Sequence, residues 1–204
     1  LQLILGHAGS GKTYRIREQV KQLAEQNTKK IMLLVPEQYS FESEKAMLKL
    51  LGPKQVNRVE VMSFTRLTDL AFRTYGGSGI AKLDDGGRNI FMSLALEEVK
   101  EELEFYVTRV EELIPFMLSM SAELKMCAIA PAVLLETAQQ TEDKKLKQKL
   151  KEVGLILSAY DALVAQSYLD PLDDLQRLKH TFTEHRFFEG YHIYIDSFEG
   201  FTQQ

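Results

Sequence analysis

A glycine-rich segment at residues 6–13, which reads GHAGSGKT, constrains the fold of this chain more than any other feature. It matches the pattern G-x-x-x-x-G-K-[ST] at every fixed position. An apolar run at residues 1–5 precedes it, and residues 14–26 follow with apolar side chains at helical spacing. A strand, a glycine-rich turn and a helix in this order are typical of a phosphate-binding loop, in which backbone N–H groups and a helix N-terminus face a phosphate. The sequence therefore predicts that the chain binds a nucleotide.

The side chains of this loop have separate roles in that prediction. The predicted nucleotide-binding residues are Gly6, His7, Ala8, Gly9, Ser10, Gly11, Lys12 and Thr13. Lys12 is expected to contact the β- and γ-phosphates, and the Thr13 hydroxyl is expected to ligate Mg²⁺. The competing interpretation is a glycine turn that only caps a helix, and the flanking strand and helix patterns argue against it.

Composition limits the remaining possibilities. The 204 residues suffice for one domain or for one domain with a large insertion, and the net charge of −4 means that a DNA contact requires a local basic patch. The single cysteine, Cys127, excludes an internal disulfide and predicts a reducing, cytoplasmic location. No apolar run approaches about 18 residues, so no membrane span is expected. Because the chain lacks an initiator methionine and stops two residues after Thr202, we expect it to be a fragment of a larger protein.

Strand and helix patterns alternate at first and then give way to helices alone. Apolar runs predict four parallel strands, at residues 1–5, 31–35, 58–62 and 191–196. Helical spacing predicts three helices between them, at residues 14–26, 40–51 and 65–75, the second ended by Gly52-Pro53. Five further helices are predicted at residues 88–103, 107–127, 130–140, 143–166 and 172–184.

Three residues in the helical stretch have positional meaning. Pro115 predicts a kink or a helix boundary, Pro131 fits the first turn of a helix, and Asp170 is a candidate cap. The whole pattern predicts an α/β fold with a parallel sheet and a large all-helical insertion. The predicted α/β domain comprises residues 1–80 and 190–204, and the insertion comprises residues 81–189.

A carboxylate ends the last predicted strand. In P-loop proteins such a strand is expected beside the strand that precedes the loop, and its terminal Asp holds the hydration shell of Mg²⁺. Asp196 is therefore predicted to bind the metal together with Thr13.

The residue that follows Asp196 decides whether the site is expected to hydrolyse its nucleotide. Many P-loop ATPases have a Glu at this position, which serves as base or orients the attacking water. Here the position holds Ser197, and Glu199 lies two residues further on. The site is therefore predicted to bind Mg-nucleotide and to cleave it poorly, unless the catalytic group lies outside this chain.

Four segments resemble the motifs of superfamily 1 DNA helicases of the UvrD/RecB type. Residues 6–13 resemble motif I, and residues 34–44, LVPEQYSFESE, stand where motif Ia contacts single-stranded DNA. Residues 59–73, VEVMSFTRLTDLAFR, resemble the motif Ib region, and residues 194–204, YIDSFEGFTQQ, look like a degraded motif II, which usually reads Asp-Glu-Phe-Gln-Asp. The combination of VPEQYSF, SFTRL and IDSFEGF is similar to the N-terminal region of the AddB family of bacterial AddAB helicase–nucleases.

The resemblance implies a fold, cofactors and partners. It implies a RecA-like motor subdomain, type 1A, with a helical 1B-type insertion, and it implies ATP with Mg²⁺ as cofactors. It implies an AddA-type partner subunit in a heterodimer, with DNA as substrate, in double-strand-break processing for recombinational repair. The nuclease and the iron–sulfur cluster of the family lie in a C-terminal region outside this chain. The whole subunit is thus expected to belong to an ATP-dependent helicase/deoxyribonuclease, and the present chain alone is expected to be inactive.

Candidate DNA contacts follow the predicted strands. Tyr39 follows the strand at residues 31–35, and Ser63, Phe64 and Arg66 lie in the segment that resembles motif Ib. Aromatic rings at strand ends can stack on bases, and the arginine can contact a phosphate. Packing against helices is the alternative for both aromatic residues, and a surface salt bridge is the alternative for Arg66.

Two other functions and one basic run stay open from the sequence. An active superfamily 1 translocase, with its missing carboxylate supplied elsewhere, is the main alternative. A P-loop small-molecule kinase is the second, although no Arg-rich lid is visible between Gly76 and Arg88. The lysines at 144, 145, 147, 149 and 151 form a solvated face in the simplest interpretation, and in the functional one they contact duplex DNA or a partner.

Overall fold

The computed structural model describes residues 1–26, 30–77, 79–106 and 110–203. They form two compact units, one of residues 1–76 and 178–201 and one of residues 77–177 and 202–204. The assignment of these units to helicase 1A-type and 1B-type subdomains stays a prediction. The first three residues of the predicted helix 107–127 lie outside the described residues.

A small parallel sheet organises the first unit. Its strands are β1 (Lys30–Leu34), β2 (Val59–Met62) and β3 (Tyr191–Ile195), in the spatial order β2-β1-β3. β1 pairs with both neighbours, so that Leu34 lies opposite Met62 on one side and Ile195 on the other. Its residues after Lys30 are all buried, which explains why the sequence of this strand is a continuous apolar run. Three of the four predicted strands and the parallel α/β class are confirmed.

The predicted strand at residues 1–5 does not form. This segment belongs to no strand, and β3 pairs with β1 and not with it. Leu1, Leu3 and Leu5 are exposed, and only Ile4 packs against the core of this unit. A strand requires a neighbour for its backbone groups, and β1 already has one on each edge. Apolar composition therefore predicted the burial of a segment for which the described residues provide no pairing edge.

Helices flank the sheet. α1 (Lys12–Gln26), α2 (Ser40–Gln55) and α3 (Phe64–Tyr75) agree with the predicted helices. α1 buries Ile16, Val20 and Ala24, which recur every four residues and so lie on one face. α2 is kinked at Gly52, whose φ of 71° and ψ of 173° are not helical, as the predicted end at Gly52-Pro53 requires.

The second unit is helical. Its helices are α4 (Asp85–Val99), α5 (Val110–Met126), α6 (Pro131–Gln140) and α7 (Lys144–Ala165), and α8 (Asp174–His185) continues into the first unit. Short 3-10 helices occur at Glu37–Tyr39, Val56–Arg58, Lys100–Glu102 and Pro171–Asp173. Pro131 starts α6 as predicted, whereas α5 continues through Pro115, so the predicted boundary there is wrong. In the described ranges no single helix is long and apolar enough to cross a membrane, and only α5 and α6 together, bent by 93°, reach that length.

The two ends of the helical unit are joined side by side. Leu83 N donates to Leu169 O at 2.9 Å and Leu169 N donates to Ala81 O at 3.0 Å, which forms a parallel bridge. Beside it lies Asp170, whose buried carboxylate accepts from Leu172 N at 3.0 Å and so confirms the predicted cap. These contacts hold the beginning and the end of a long helical segment together.

The Asp170 carboxylate also collects charged and polar partners from three helices. Lys125 Nζ and the Tyr160 hydroxyl each donate to its Oδ2 at 3.1 Å, and Arg88 Nε lies 3.6 Å from its Oδ1. Burial raises the pKa of this carboxyl, but the Leu172 N–H and the two cations lower it further, so its pKa lies below the ordinary value. A buried carboxylate between two cations is an arrangement in which removal of one partner is strongly destabilising.

A second buried carboxylate, Glu152 on α7, holds the segment that follows α4. Its two oxygens accept hydrogen bonds from the backbone N–H groups of Glu104, Phe105 and Tyr106 at 3.0–3.1 Å. Gln148 Nε2 donates to it at 2.8 Å. Burial raises the pKa of Glu152, and these four donors lower it by more, so the pKa lies below its ordinary value. Glu152 is thus an internal cap and stays ionised at neutral pH.

Replacing Glu152 with alanine is expected to lower the free energy of unfolding by about 2–3 kcal/mol, because the three N–H donors lose a charged acceptor. The folded-state pKa is depressed, so this stabilisation is complete above the ordinary pKa of about 4.3 and disappears as the pH falls through the lower folded value. Urea unfolding at pH 7 and near pH 3 measures both effects, with the exposed Glu98→Ala as the control. A loss in Glu152→Ala that is equally large at both pH values would contradict this role.

Candidate nucleotide-binding site

The glycine-rich loop forms a tight turn that leads into α1. Ser10 N donates to His7 O at 3.2 Å, and Gly9 and Gly11 have φ values of 74° and 85°, in the left-handed region that favours glycine. A Cβ added to either of these two glycines would meet no atom within 4 Å, so the space beside the loop is open. At Gly6 an added Cβ would lie 2.3 Å from Ser10 Oγ, which explains why this position requires glycine.

Lys12, the first residue of α1, folds back over the loop. Its ammonium group donates to Gly6 O and to His7 O, each at 2.8 Å. The ammonium therefore lies beside the turn of the loop and has no carboxylate partner among the described residues. A lysine in this position can exchange carbonyl partners for phosphate oxygens without unfolding the helix, because its backbone already begins α1.

The structure brings Thr13 and Asp196 together, although 183 residues separate them in the chain. The Thr13 hydroxyl donates to Asp196 Oδ1 at 3.2 Å. Asp196 is held at the end of β3 by its own N–H, which donates to Leu34 O of β1 at 3.0 Å. The hydroxyl and the carboxylate are hard oxygen ligands of the kind that Mg²⁺ prefers, and Mg²⁺ sites usually combine one or two carboxylates with phosphate oxygens. The residues present therefore fit a Mg-nucleotide.

The chain turns sharply directly after this carboxylate. Ser197 has a φ of 66°, a value that few residues other than glycine adopt, and its side chain is exposed. Glu199 is exposed as well. The described residue that follows Asp196 thus carries no carboxylate, as the sequence indicates.

The candidate DNA-contacting residues lie at the carboxyl ends of the strands, and the structure also shows what two of them contact. Ser63 is 1% exposed, and its hydroxyl accepts from Arg66 N at 3.2 Å as the cap of α3. The Arg66 guanidinium forms an ion pair with Glu44 of α2. Ser63 therefore has a structural role, and Arg66 has the surface salt bridge that the sequence left as its alternative.

The two aromatic candidates differ in their surroundings. The ring of Phe64 packs edge-on against Phe198, with centroids 5.6 Å apart, and Phe198 in turn stacks on Phe201 at 5.1 Å. Tyr39 ends the 3-10 helix after β1, and 41% of its surface is exposed. Of the four residues, Tyr39 has the ring that is most available to a base. Contact with DNA stays a prediction for all four.

Sequence reasoning missed the partners that fix this edge of the sheet. Phe198 belongs to the motif II-like segment, yet its contact with Phe64 has no local signal because 134 positions separate the two residues. Glu44 lies in the motif Ia-like segment, and only the packing of α2 beside α3 brings it to Arg66. An alignment of covarying positions is the kind of signal that could have revealed such pairs.

Comparison with known proteins gives the same family throughout. The family model described as "ADDB, N-terminal" matches residues 3–204. Proteins named as the B-type member of an ATP-dependent helicase/deoxyribonuclease are 32% identical over 210 residues in Clostridium tetani, 33% over 208 residues in Clostridium kluyveri and 32% over 208 residues in Clostridioides difficile. These alignments cover 99–100% of the chain and 18% of each relative, so the chain spans less than a fifth of the length of these relatives.

Proposed function

The chain belongs to the ADDB N-terminal family, and on this premise we propose that it is the nucleotide- and DNA-binding N-terminal region of a helicase–nuclease subunit. The observation that carries the proposal is the contact between Thr13 Oγ1 and Asp196 Oδ1, because it joins the loop to the strand-ending carboxylate. In this proposal the first unit is a RecA-like P-loop domain of type 1A, and the second is a 1B-type insertion.

The roles of the site residues follow from their chemistry. The N–H groups of residues 6–13 and the N-terminus of α1 surround the phosphates, and the Lys12 ammonium neutralises their charge. The Thr13 hydroxyl and the Asp196 carboxylate hold Mg²⁺, which supplies further neutralisation of the phosphate charge. ATP is the nucleotide, since the relatives are named ATP-dependent.

The same proposal includes an impaired motor. Ser197 has no basicity at neutral pH, and it stands where a carboxylate would activate water. We infer that this region binds ATP and hydrolyses it slowly, and that the main motor belongs to an AddA-type partner subunit. DNA double-strand breaks are the substrate, in the cytoplasm, and the carboxyl edge of the sheet with Tyr39 is the surface for single-stranded DNA. An iron–sulfur cluster and a nuclease, which the resemblance implies, belong to other parts of the full-length protein.

The metal role of Asp196 provides the test. Asp196→Asn keeps the oxygen that accepts from Thr13 and removes the charge, so ATP affinity of the full-length subunit should fall about 10–100-fold with Mg²⁺ present. With EDTA in place of Mg²⁺ the variant and the wild type should bind ATP equally weakly. Equilibrium binding of a fluorescent ATP analogue measures both, and the exposed Glu199→Gln is the matched control. An equal loss with and without Mg²⁺ would mean that Asp196 is structural.

A further inference from the structure

The N-terminal end of α7 carries a dense group of cations. Five lysines, at positions 144, 145, 147, 149 and 151, occupy eight consecutive positions that contain no carboxylate. They are five of the 25 Lys and Arg residues in a chain whose net charge is −4. All five residues are exposed. Residues 144–151 are called the lysine segment below.

The lysine segment has no charged partner within the described part of the chain. No carboxylate there forms an ion pair with any of its ammonium groups, and only Lys149 has a described contact, with its Nζ 5.7 Å from the centroid of the Phe105 ring. The adjacent Asp143 does not neutralise them, because its Oδ1 accepts from Lys145 N and Leu146 N as the cap of α7.

This placement is unfavourable for the isolated helix. Cations near a helix N-terminus oppose the helix dipole, by about 0.3–1 kcal/mol each, and no acidic residue occupies the first turn of α7. Lys145 with Lys149, and Lys147 with Lys151, are like charges four residues apart, which destabilise a helix further. A face that served only solubility would be served equally well by charges of both signs. The segment therefore has the character of a surface that meets an anion.

The geometry of the segment matches a row of anions. Lys144, Lys147 and Lys151 recur at i, i+3 and i+7 and form one stripe. At 100° per residue the stripe points away from the side that buries Val153 and Tyr160. It extends over about 10 Å at a rise of about 1.5 Å per residue. One strand of DNA carries a phosphate for every 3.4 Å or so of its axis, so the stripe is about as long as three phosphates.

We propose that the lysine segment of α7 binds the phosphate backbone of duplex DNA, at a surface of the second unit and not at the carboxyl edge of the sheet. The inference rests on the proposed function, since it assumes a protein that works on DNA. Duplex is favoured over single-stranded DNA because sites for single strands interleave cations with exposed aromatic rings for stacking. Residues 144–151 contain no aromatic residue, and the nearest described ring, Phe105, is covered by Lys149.

The test replaces the stripe in the full-length protein, in complex with its partner. In the first variant Lys144, Lys147 and Lys151 are all changed to Gln, and in the second they are all changed to Arg. The control changes three dispersed exposed lysines, Lys54, Lys100 and Lys179, to Gln, which alters the net charge equally. Binding to two blunt duplexes of unrelated sequence is measured by fluorescence anisotropy over a range of salt concentrations without nucleotide.

The Gln variant should bind both duplexes more weakly by the same factor, and its slope of log K against log salt should be shallower by about 2.7, or about 0.9 for each lost contact. The Arg variant should retain the wild-type slope, and the control should lose little. Equal behaviour of the Gln variant and the control, or an equal defect in the Arg variant, would overturn the inference, as would a loss confined to single-stranded DNA. A wild-type complex that binds no DNA would overturn the proposed function as well.

Discussion

Lys12→Ala is expected to weaken binding of Mg-ATP by the full-length protein at least about a hundredfold. The ammonium group is the charged donor of the loop, and each hydrogen bond from a charged group to phosphate contributes about 1.5–3 kcal/mol. Two such bonds, to the β- and γ-phosphates, correspond to a loss of roughly two orders of magnitude or more.

The fold should survive this change. The partners of Lys12 Nζ in the structure are the carbonyl oxygens of Gly6 and His7, both in exposed residues, and water can replace the lysine there. Titration calorimetry with Mg-ATP measures the affinity, and circular dichroism during heating checks the fold. Lys21→Ala, which removes the same charge from a later turn of α1, is the matched control. Unchanged ATP affinity in Lys12→Ala would refute the assignment of residues 6–13 as a phosphate-binding loop.

The second large effect concerns turnover. The site in the full-length protein is expected to bind ATP and to hydrolyse it about 10²–10⁴-fold more slowly than a site with a general base, because Ser197 provides none. The isolated chain cannot decide this, since motors of this type also need an arginine from a second RecA-like domain, worth about 10³–10⁵ in rate. The informative comparison is between a complex whose partner subunit is inactivated and one in which Lys12→Ala is added.

Both complexes should show equally low ATPase activity if the motor is impaired, and Lys12→Ala alone should leave most of the activity of the intact complex. Steady-state phosphate release in the presence of DNA measures these rates. If the partner-inactivated complex hydrolyses ATP at helicase rates and Lys12→Ala removes that activity, the active-translocase alternative is correct. Glu199→Gln then tests whether the exposed carboxylate two residues after Ser197 replaces the missing base.

Local patterns were sufficient for much of the fold. The helices of both units begin and end close to the predicted residues because helical periodicity, Pro131 and the Asp170 cap act within a few residues of chain. The phosphate-binding loop is also local, since its turn depends on glycines at fixed positions and on the helix that starts at Lys12. β1 was recognisable because a strand buried on both faces is apolar throughout.

Contacts between distant segments could not be predicted in this way. Asp196 was assigned to the metal by analogy, and only the fold brings its carboxylate to the Thr13 hydroxyl. The burial of Glu152 among three backbone N–H groups has no sequence signal, since an acidic residue on a lysine-rich helix is expected to be solvated. The ion pair between Glu44 and Arg66 is equally invisible, because it depends on how α2 and α3 pack.

The amino-acid sequence by itself determined the loop chemistry, the helices and the apolar runs, because these depend on backbone preferences and on periodicity over a few residues. Tertiary structure decided which apolar runs became strands, as residues 1–5 demonstrate: a run becomes a strand only where another strand offers free N–H and C=O groups. It also decided which charged groups are buried and paired, as for Asp170, and which remain unpaired at the surface, as in the lysine segment. The physical reason is the same for both, since a hydrogen bond or an ion pair needs a partner whose position depends on the path of the whole chain.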